Sequence, residues 1–246
     1  MSRAARIKSE SGYYHVIVRG IGKQLLFEED NDRLHYLELL KRFSKETGIT
    51  ICAFCLMENH VHLLIHDPDH HLSTFMKKLG VSYSIYFNRK YGRTGHLFQD
   101  RYQSENVESE EHLVTVFRCI LNNPQKAGIC PADSYKWSSY KHYSSTGSFV
   151  DTSVFTDLIG NKQEYAAFIA AKADDQCMDI QEPKLKDKQA QEIIKNLLNN
   201  DSGTIIQSFD AKKRNEIIKL LRTNGLSIRQ IERLTGISRG IIQRLV

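Results

Sequence analysis

The 246-residue chain reads as an α+β protein: an antiparallel sheet with helices on one face, then a helical connector and a small basic helical unit. Three observations predict this. Between about residues 13 and 107, strand-like apolar runs and helical periodicities follow one another in the order β-α-β-β-α-β, the pattern of a split β-α-β sheet. One further strongly periodic helix follows near residue 110. Finally, positive charge gathers at the far end: residues 211–246 hold nine Lys or Arg against Glu216 and Glu232, a net +7. The remainder holds 25 bases against 27 acids, a net −2, so the formal +5 comes from that last segment.

The elements can be justified in order. A first strand covers about Tyr13 to Val18, and a helix with Leu34, Leu37, Leu40 and Phe43 on its inner face ends at Gly48, whose missing Cβ suits a left-handed cap. Ile51 to Met57 reads as a buried strand, Glu58-Asn59 as a turn, and His60 to His66 as a second strand carrying Val61, Leu63, Leu64 and Ile65. A helix from about Leu72 to Tyr91 mixes Phe75, Met76, Leu79, Ile85, Tyr86 and Phe87 with Lys77, Lys78, Arg89 and Lys90, and a last strand lies near Gln103 to Val107. Ser109 caps the next helix over an acidic first turn, Leu113, Val116, Phe117, Ile120 and Leu121 give helical spacing, and Pro124 stops it. Residues 1–146 therefore form one domain, 147–208 a helical connector with a hinge near Ala173 to Lys188, and 209–246 a second domain.

Composition narrows the setting. A hydrophobic content of 41% supplies a sizeable core. The basic start Met1 to Arg6 runs into polar residues rather than an apolar stretch, and no transmembrane run follows, so a cytoplasmic protein with no membrane partner is expected. Five cysteines, an odd number thinly spread, point to free thiols rather than a disulfide framework. Cys52-Ala53-Phe54-Cys55 has CxxC spacing, but strand alternation would turn the two thiols to opposite faces, against a redox or zinc role.

The chemistry centres on His60-Val61-His62. Strand alternation points both imidazoles the same way, with backbones about 6.5 to 7 Å apart, close enough to converge on one ion. An isolated pair is equally an ordinary pair of strand histidines, so its meaning rests on the surrounding words. These are Tyr14-His15-Val16-Ile17-Val18-Arg19-Gly20, Cys55 to Leu64, Gly95-His96-Leu97-Phe98-Gln99-Asp100-Arg101-Tyr102, Asn123-Pro124-Gln125-Lys126-Ala127-Gly128 and Trp137-Ser138-Ser139-Tyr140. In order, over about residues 11 to 145, they resemble the single-tyrosine HUH transposases, more narrowly the REP-associated tyrosine transposases and their insertion-sequence relatives.

That resemblance implies a ferredoxin-like domain that binds single-stranded or hairpin DNA, holds a divalent ion on His60 and His62, and cuts with a tyrosine on a nearby helix. It also implies that the polar residue one turn after the nucleophile, here Asn123, is the third ligand; two imidazoles and an amide oxygen suit Mg²⁺ or Mn²⁺. The chain departs from the pattern at the nucleophile itself, four residues before Asn123, where Cys119 stands. Three readings stay open: loss of cleavage with retained DNA binding, cleavage by another tyrosine such as Tyr102 or Tyr91, and cleavage by Cys119, whose side chain is much shorter than a phenol.

Basic and aromatic residues interleave from Tyr83 to Tyr102, a mixture suited to phosphate neutralisation and base stacking, with Arg93 and Arg101 as the preferred backbone contacts. In the last domain, a helix from Ala211 to Thr223 ends at Asn224-Gly225, Ser227 caps Ile228 to Leu234, Gly236 turns the chain, and Ser238 caps Arg239 to Leu245. This resembles a helix-turn-helix in which Ile228, Ile231, Leu234, Ile237, Ile241, Ile242 and Leu245 make the core and Ser238, Arg239, Gln243 and Arg244 reach duplex DNA. The expected function is that of a transposase-like protein performing metal-assisted strand cleavage and rejoining through a covalent protein-DNA intermediate. The rivals are a domesticated, catalytically silent DNA-binding regulator and an RNA-binding ferredoxin-like module. Pairing into a homodimer is left open.

Overall fold

A computed structural model of the protein describes residues 7–171, 175, 177, 178, 187–200 and 202–245; the start Met1 to Arg6 and most of the expected hinge near 173–188 lie outside them. The chain divides into two compact units, 1–179 and 180–246. No helix among the described residues is long and apolar enough to cross a membrane.

The first unit is built on β1 (Tyr13–Arg19), α1 (Asp30–Thr47), β2 (Thr50–Leu56), β3 (His60–His66), α2 (Leu72–Lys90) and β4 (Gln103–Asn106). The four strands form one antiparallel sheet in the order β2-β3-β1-β4, with the two parallel-crossover positions filled by α1 and α2. Register places Val18 opposite Val61, Val16 opposite Leu63 and Tyr14 opposite Ile65. These residues join Ile51, Phe54 and Leu56 in a core with Leu40 and Phe43 of α1 and Phe75, Leu79, Tyr83 and Phe87 of α2. Gly48 caps α1 at φ 73°, the left-handed conformation that its missing Cβ permits.

The opposite face of the sheet carries a second core with α3 (Glu110–Leu121), whose Leu113, Val116, Phe117, Ile120 and Leu121 pack on Ala53, Cys55 and Leu64. Ser109 accepts a hydrogen bond from the His112 amide and caps α3 as its sequence predicts. After the short α4 (Asn123–Lys126), the helices α5 (Ser153–Ile159) and α6 (Lys162–Ala170) close the same core with Phe155, Tyr165 and Ile169. The expected connector 147–208 is thus divided. Its first part has aromatic residues that bury against α3, and its later part, α7 (Asp187–Leu198) with a 3-10 turn Gly203–Ser208, packs into the second unit through Ala190, Ile194 and Ile206.

Strict alternation fails in β2. A register shift between Ile51 and Ala53 turns Cys52 and Ala53 to the same side, so Cys52 and Cys55 both join the α3-side core instead of facing opposite ways. Burial pushes both thiols well above the ordinary cysteine value, which leaves them inert.

The second unit packs α7 with α8 (Ala211–Thr223), α9 (Ile228–Thr235) and α10 (Arg239–Gln243) around Ile206, Ile218, Leu221, Leu226, Ile231, Ile237 and Ile242. Ser227 caps α9 by accepting from the Gln230 amide, and Gly236 ends it at φ 72°.

Asp32 ties α1 to α2. Its carboxylate is fully buried and accepts from Lys90 at 2.6 Å, the Tyr91 hydroxyl at 2.7 Å, the Tyr86 hydroxyl at 3.1 Å and the amides of Glu28 and Glu29. Burial alone would raise this carboxyl, but the bonds from Lys90, Tyr91, the backbone and Tyr86 outweigh it and hold it below the usual range. Asp32→Asn is expected to destabilise the first unit by about 2 kcal/mol near neutral pH, because Lys90 loses a charged partner. With the folded pKa below the unfolded one, the contribution is complete above the unfolded value of about 3.9 and is lost as pH falls through the folded value. Thermal melts of wild type and Asp32→Asn should therefore converge in acid.

Candidate metal centre and nucleic-acid interface

The face of the sheet turned toward α3 carries the histidine pair. Along β1 and β3 the register sets Arg19 opposite His60, Ile17 opposite His62 and His15 opposite Leu64, and Glu105 of β4 lies opposite His15. His60 and His62 therefore share this face, and their ring centroids are 5.0 Å apart in an edge-to-face arrangement. His60 Nδ1 lies 2.7 Å from the Asn59 side-chain oxygen; since that oxygen can only accept, the ring donates from Nδ1.

His62 is 2% exposed, and its Nδ1 lies 3.1 Å from Nε2 of the fully buried His15. Its own Nε2 is buried with no hydrogen-bond partner. Burial pushes the His62 imidazole well below its ordinary pKa, and the charges of His15, His60 and Lys126 act in the same direction. A neutral ring with an unengaged nitrogen suits a divalent ion: a buried polar atom without a partner costs about 1–3 kcal/mol, which coordination would offset. Among the described residues no group of three or more His, Cys, Asp or Glu is arranged around an ion. The two imidazoles are donors that a divalent ion could take.

Position 119 is decided by contacts the sequence does not reveal. Cys119 is 1% exposed on α3, and its sulfur is bonded to Cys177, 58 residues away, which corrects the expectation of free thiols. Arg118, one residue earlier, grips both carboxylate oxygens of Asp175 and stacks over Phe168. Lys126 of α4 sits 3.3 Å from the Cys119 sulfur and is also close enough to His62 to bias its ionisation. The Asn123 amide nitrogen donates to the carbonyls of Cys119 and Ile120, so the helix engages the nitrogen, whereas a metal would use the oxygen.

The alternative tyrosines lie elsewhere. Tyr102 packs on the core beneath α1 and α2, with its hydroxyl 3.1 Å from Ser73 of α2, and the Tyr91 hydroxyl donates to Asp32. Both side chains are on the face of the sheet away from the histidines. Arg101 is exposed and lines a groove of about 810 Å³ with Lys77, His96, Phe98 and Tyr102. Arg93 is half-buried with its guanidinium 5.7 Å from the Phe87 ring, a packed position rather than an outstretched arm. In the second unit Ser238, Arg239, Gln243 and Arg244 are all exposed around α10. From strand parity alone His15 could approach the histidine face, as the structure places it, whereas sequence reasoning missed Glu105 and Lys126 as neighbours of the site.

The disulfide carries its own test. Alkylation in denaturant without reductant should modify three cysteines, Cys52, Cys55 and Cys130, and all five only after reduction, read by intact mass. Closing 58 residues should stabilise the first unit by about 4 kcal/mol on chain-entropy grounds, so Cys177→Ser lowers the denaturation midpoint under oxidising conditions.

Residues 8–123 match the family model described as Transposase IS200 like. The fold is similar to that in the structure of a REP-associated tyrosine transposase bound to a REP hairpin, with a TM-score of 0.50 and 15% identity over 63% of this chain and 96% of that one. A crystal structure described as a transposase from Deinococcus radiodurans R1 aligns at 22% identity over 49% of this chain and 97% of that one, with a TM-score of 0.34. A comparison with curated proteins gave no match. Over residues 8–123 the chain is thus similar to the IS200-like transposases, and its fold is similar to that of a REP-associated tyrosine transposase.

Proposed function

We propose that the protein binds single-stranded or hairpin DNA across its first unit and that, with the Cys119–Cys177 bond intact, it does not cut the strand. The observation that carries this reading is the state of position 119: the sulfur is buried and already bonded to Cys177, whereas the histidine pair is retained on the sheet. A sulfur in a disulfide has no thiolate with which to attack phosphorus. The family-model match over residues 8–123 and the hairpin-bound solved structure of similar fold support a DNA partner. His60 and His62, with Asn123 supplying an oxygen, would hold Mg²⁺ or Mn²⁺, and such an ion supplies charge for a phosphodiester oxygen when bound. Lys126 adds a cation beside the same site, and Arg101 with Phe98 and Tyr102 offers charge and stacking surface in the groove beside α2.

A second reading, metal-assisted cleavage and rejoining, is favoured by the partnerless Nε2 of His62. In that reading a thiol reductant first opens the Cys119–Cys177 bond; the Cys119 thiolate, stabilised by Lys126, then attacks phosphorus, the bond to the 3′-oxygen breaks and that oxygen takes a proton from water, leaving a 5′-phosphothioester and a free 3′-hydroxyl. The second unit would act as a helix-turn-helix, presenting Arg239, Gln243 and Arg244 with Ser238 to duplex DNA.

Labelled hairpin DNA incubated with Mn²⁺, with and without reductant, separates the readings. Wild type is expected to bind without a covalent adduct in the absence of reductant, and Cys119→Tyr to form an adduct that His60→Ala abolishes. A metal-dependent adduct on unreduced wild type, or preference for RNA of the same hairpin sequence, would overturn the proposal. For the second unit, Arg239→Ala and Arg244→Ala should each weaken duplex binding across sequences and lower the slope of log K against log salt by about 1.

A further inference from the structure

Glu105, His15 and His62 lie in a line across three neighbouring strands, β4, β1 and β3. His62 Nδ1 is 3.1 Å from His15 Nε2, and His15 Nδ1 is 3.7 Å from Glu105 Oε2. The second gap is longer than a hydrogen bond, and both atoms are buried; the Glu105 carboxylate also takes a backbone hydrogen bond from Met178. The directions of donation follow from the far end. A carboxylate accepts only, so the His15 nitrogen that faces Glu105, Nδ1, is the one placed to donate. With Nε2 of His15 as the acceptor, the His62 ring donates from Nδ1. The His62 lone pair falls on Nε2, the buried atom with no partner. Asn59 imposes the same choice on His60 from the other side.

We infer that Glu105 and His15 are positioning residues that fix the His62 ring and its proton so that Nε2 is presented, beside that of His60, to a divalent ion. The inference rests on the metal-binding part of the proposed function. Ligating histidines are usually oriented by a carboxylate or carbonyl on the distal ring nitrogen; here a second imidazole stands between the ligand and its carboxylate. His15 reaches His62 only diagonally across the β1–β3 pair, because Ile17 occupies the directly opposed position. Glu105 is in turn held by His112 of α3 at 3.9 Å, which ties the relay to the helix that carries Cys119.

The test uses the full chain. Long-range ¹H–¹⁵N correlation of the metal-free protein, at a pH where the rings are neutral, should show the Nδ1–H tautomer for both His60 and His62. In His15→Gln the amide oxygen can still accept from His62, and that tautomer should persist. In His15→Phe no acceptor remains, the His62 proton should move toward Nε2, and Mn²⁺ affinity measured by EPR should fall about 10- to 100-fold while His15→Gln holds most of it. Glu105→Gln should loosen the same preference without touching the ligand. An Nε2–H tautomer of His62 in wild type overturns the inference, as does unchanged Mn²⁺ affinity in a folded His15→Phe; should His15→Phe fail to fold, the wild-type tautomer and Glu105→Gln decide. If wild type and His60→Ala both fail to bind Mn²⁺, the metal reading falls and the positioning role with it, a result distinct from wild-type binding that His15→Phe leaves intact.

Discussion

The pleat of β3 is the constraint on which the first unit depends. Val61, Leu63 and Ile65 are driven into the core beneath α1 and α2, each worth roughly 1.5–3 kcal/mol in buried apolar surface, and the alternation of a strand then obliges His60 and His62 to face the other way. A slip of one residue would turn the histidines into the core beneath α1 and α2 and the aliphatic row toward α3, so the apolar side pins the register of the polar side. The site is thus positioned by residues that take no part in its chemistry.

The second face is of mixed character because α3 covers only part of it. Where α3, α5 and α6 meet the sheet, Phe117 stacks on Phe155 with ring centroids 3.8 Å apart, and the core is continuous. Toward the β3 end that carries His60 the same face turns polar, and the groups there hold one another: Asn59 with His60, His62 with His15, Lys126 with the Cys119 sulfur. Burial is what gives these contacts weight, since the low dielectric around His62 holds its imidazole well below the ordinary pKa.

Much of this was legible from local pattern. The β3 bounds, the α1 cap at Gly48 and the Ser109 cap of α3 all depend on residues within a few positions of one another. Features set by distant partners were not. The bulge at Ile51–Ala53 leaves no mark in composition, yet it reverses the face of Cys52. Cys119 and Cys177 are 58 residues apart, and His15 and His62 are 47 apart, so neither pairing is implied by spacing. Residues 147–208 looked like one connector because their helices are short and polar; their few aromatic and aliphatic side chains decide which unit each helix joins.

The sequence by itself determined the strand and helix order, the parity that sets His60 and His62 side by side, the absence of a tyrosine at position 119 and the concentration of positive charge in the last helices. These are properties of neighbouring residues, and backbone geometry converts them directly into faces and ends. Only the tertiary structure decided that the sulfur at position 119 is bonded to Cys177, that Tyr102 and Tyr91 lie on the far side of the sheet, and that His15 and Glu105 stand behind His62. Each of those depends on which distant segments become neighbours, and that is fixed by the packing of the whole unit rather than by any segment of it.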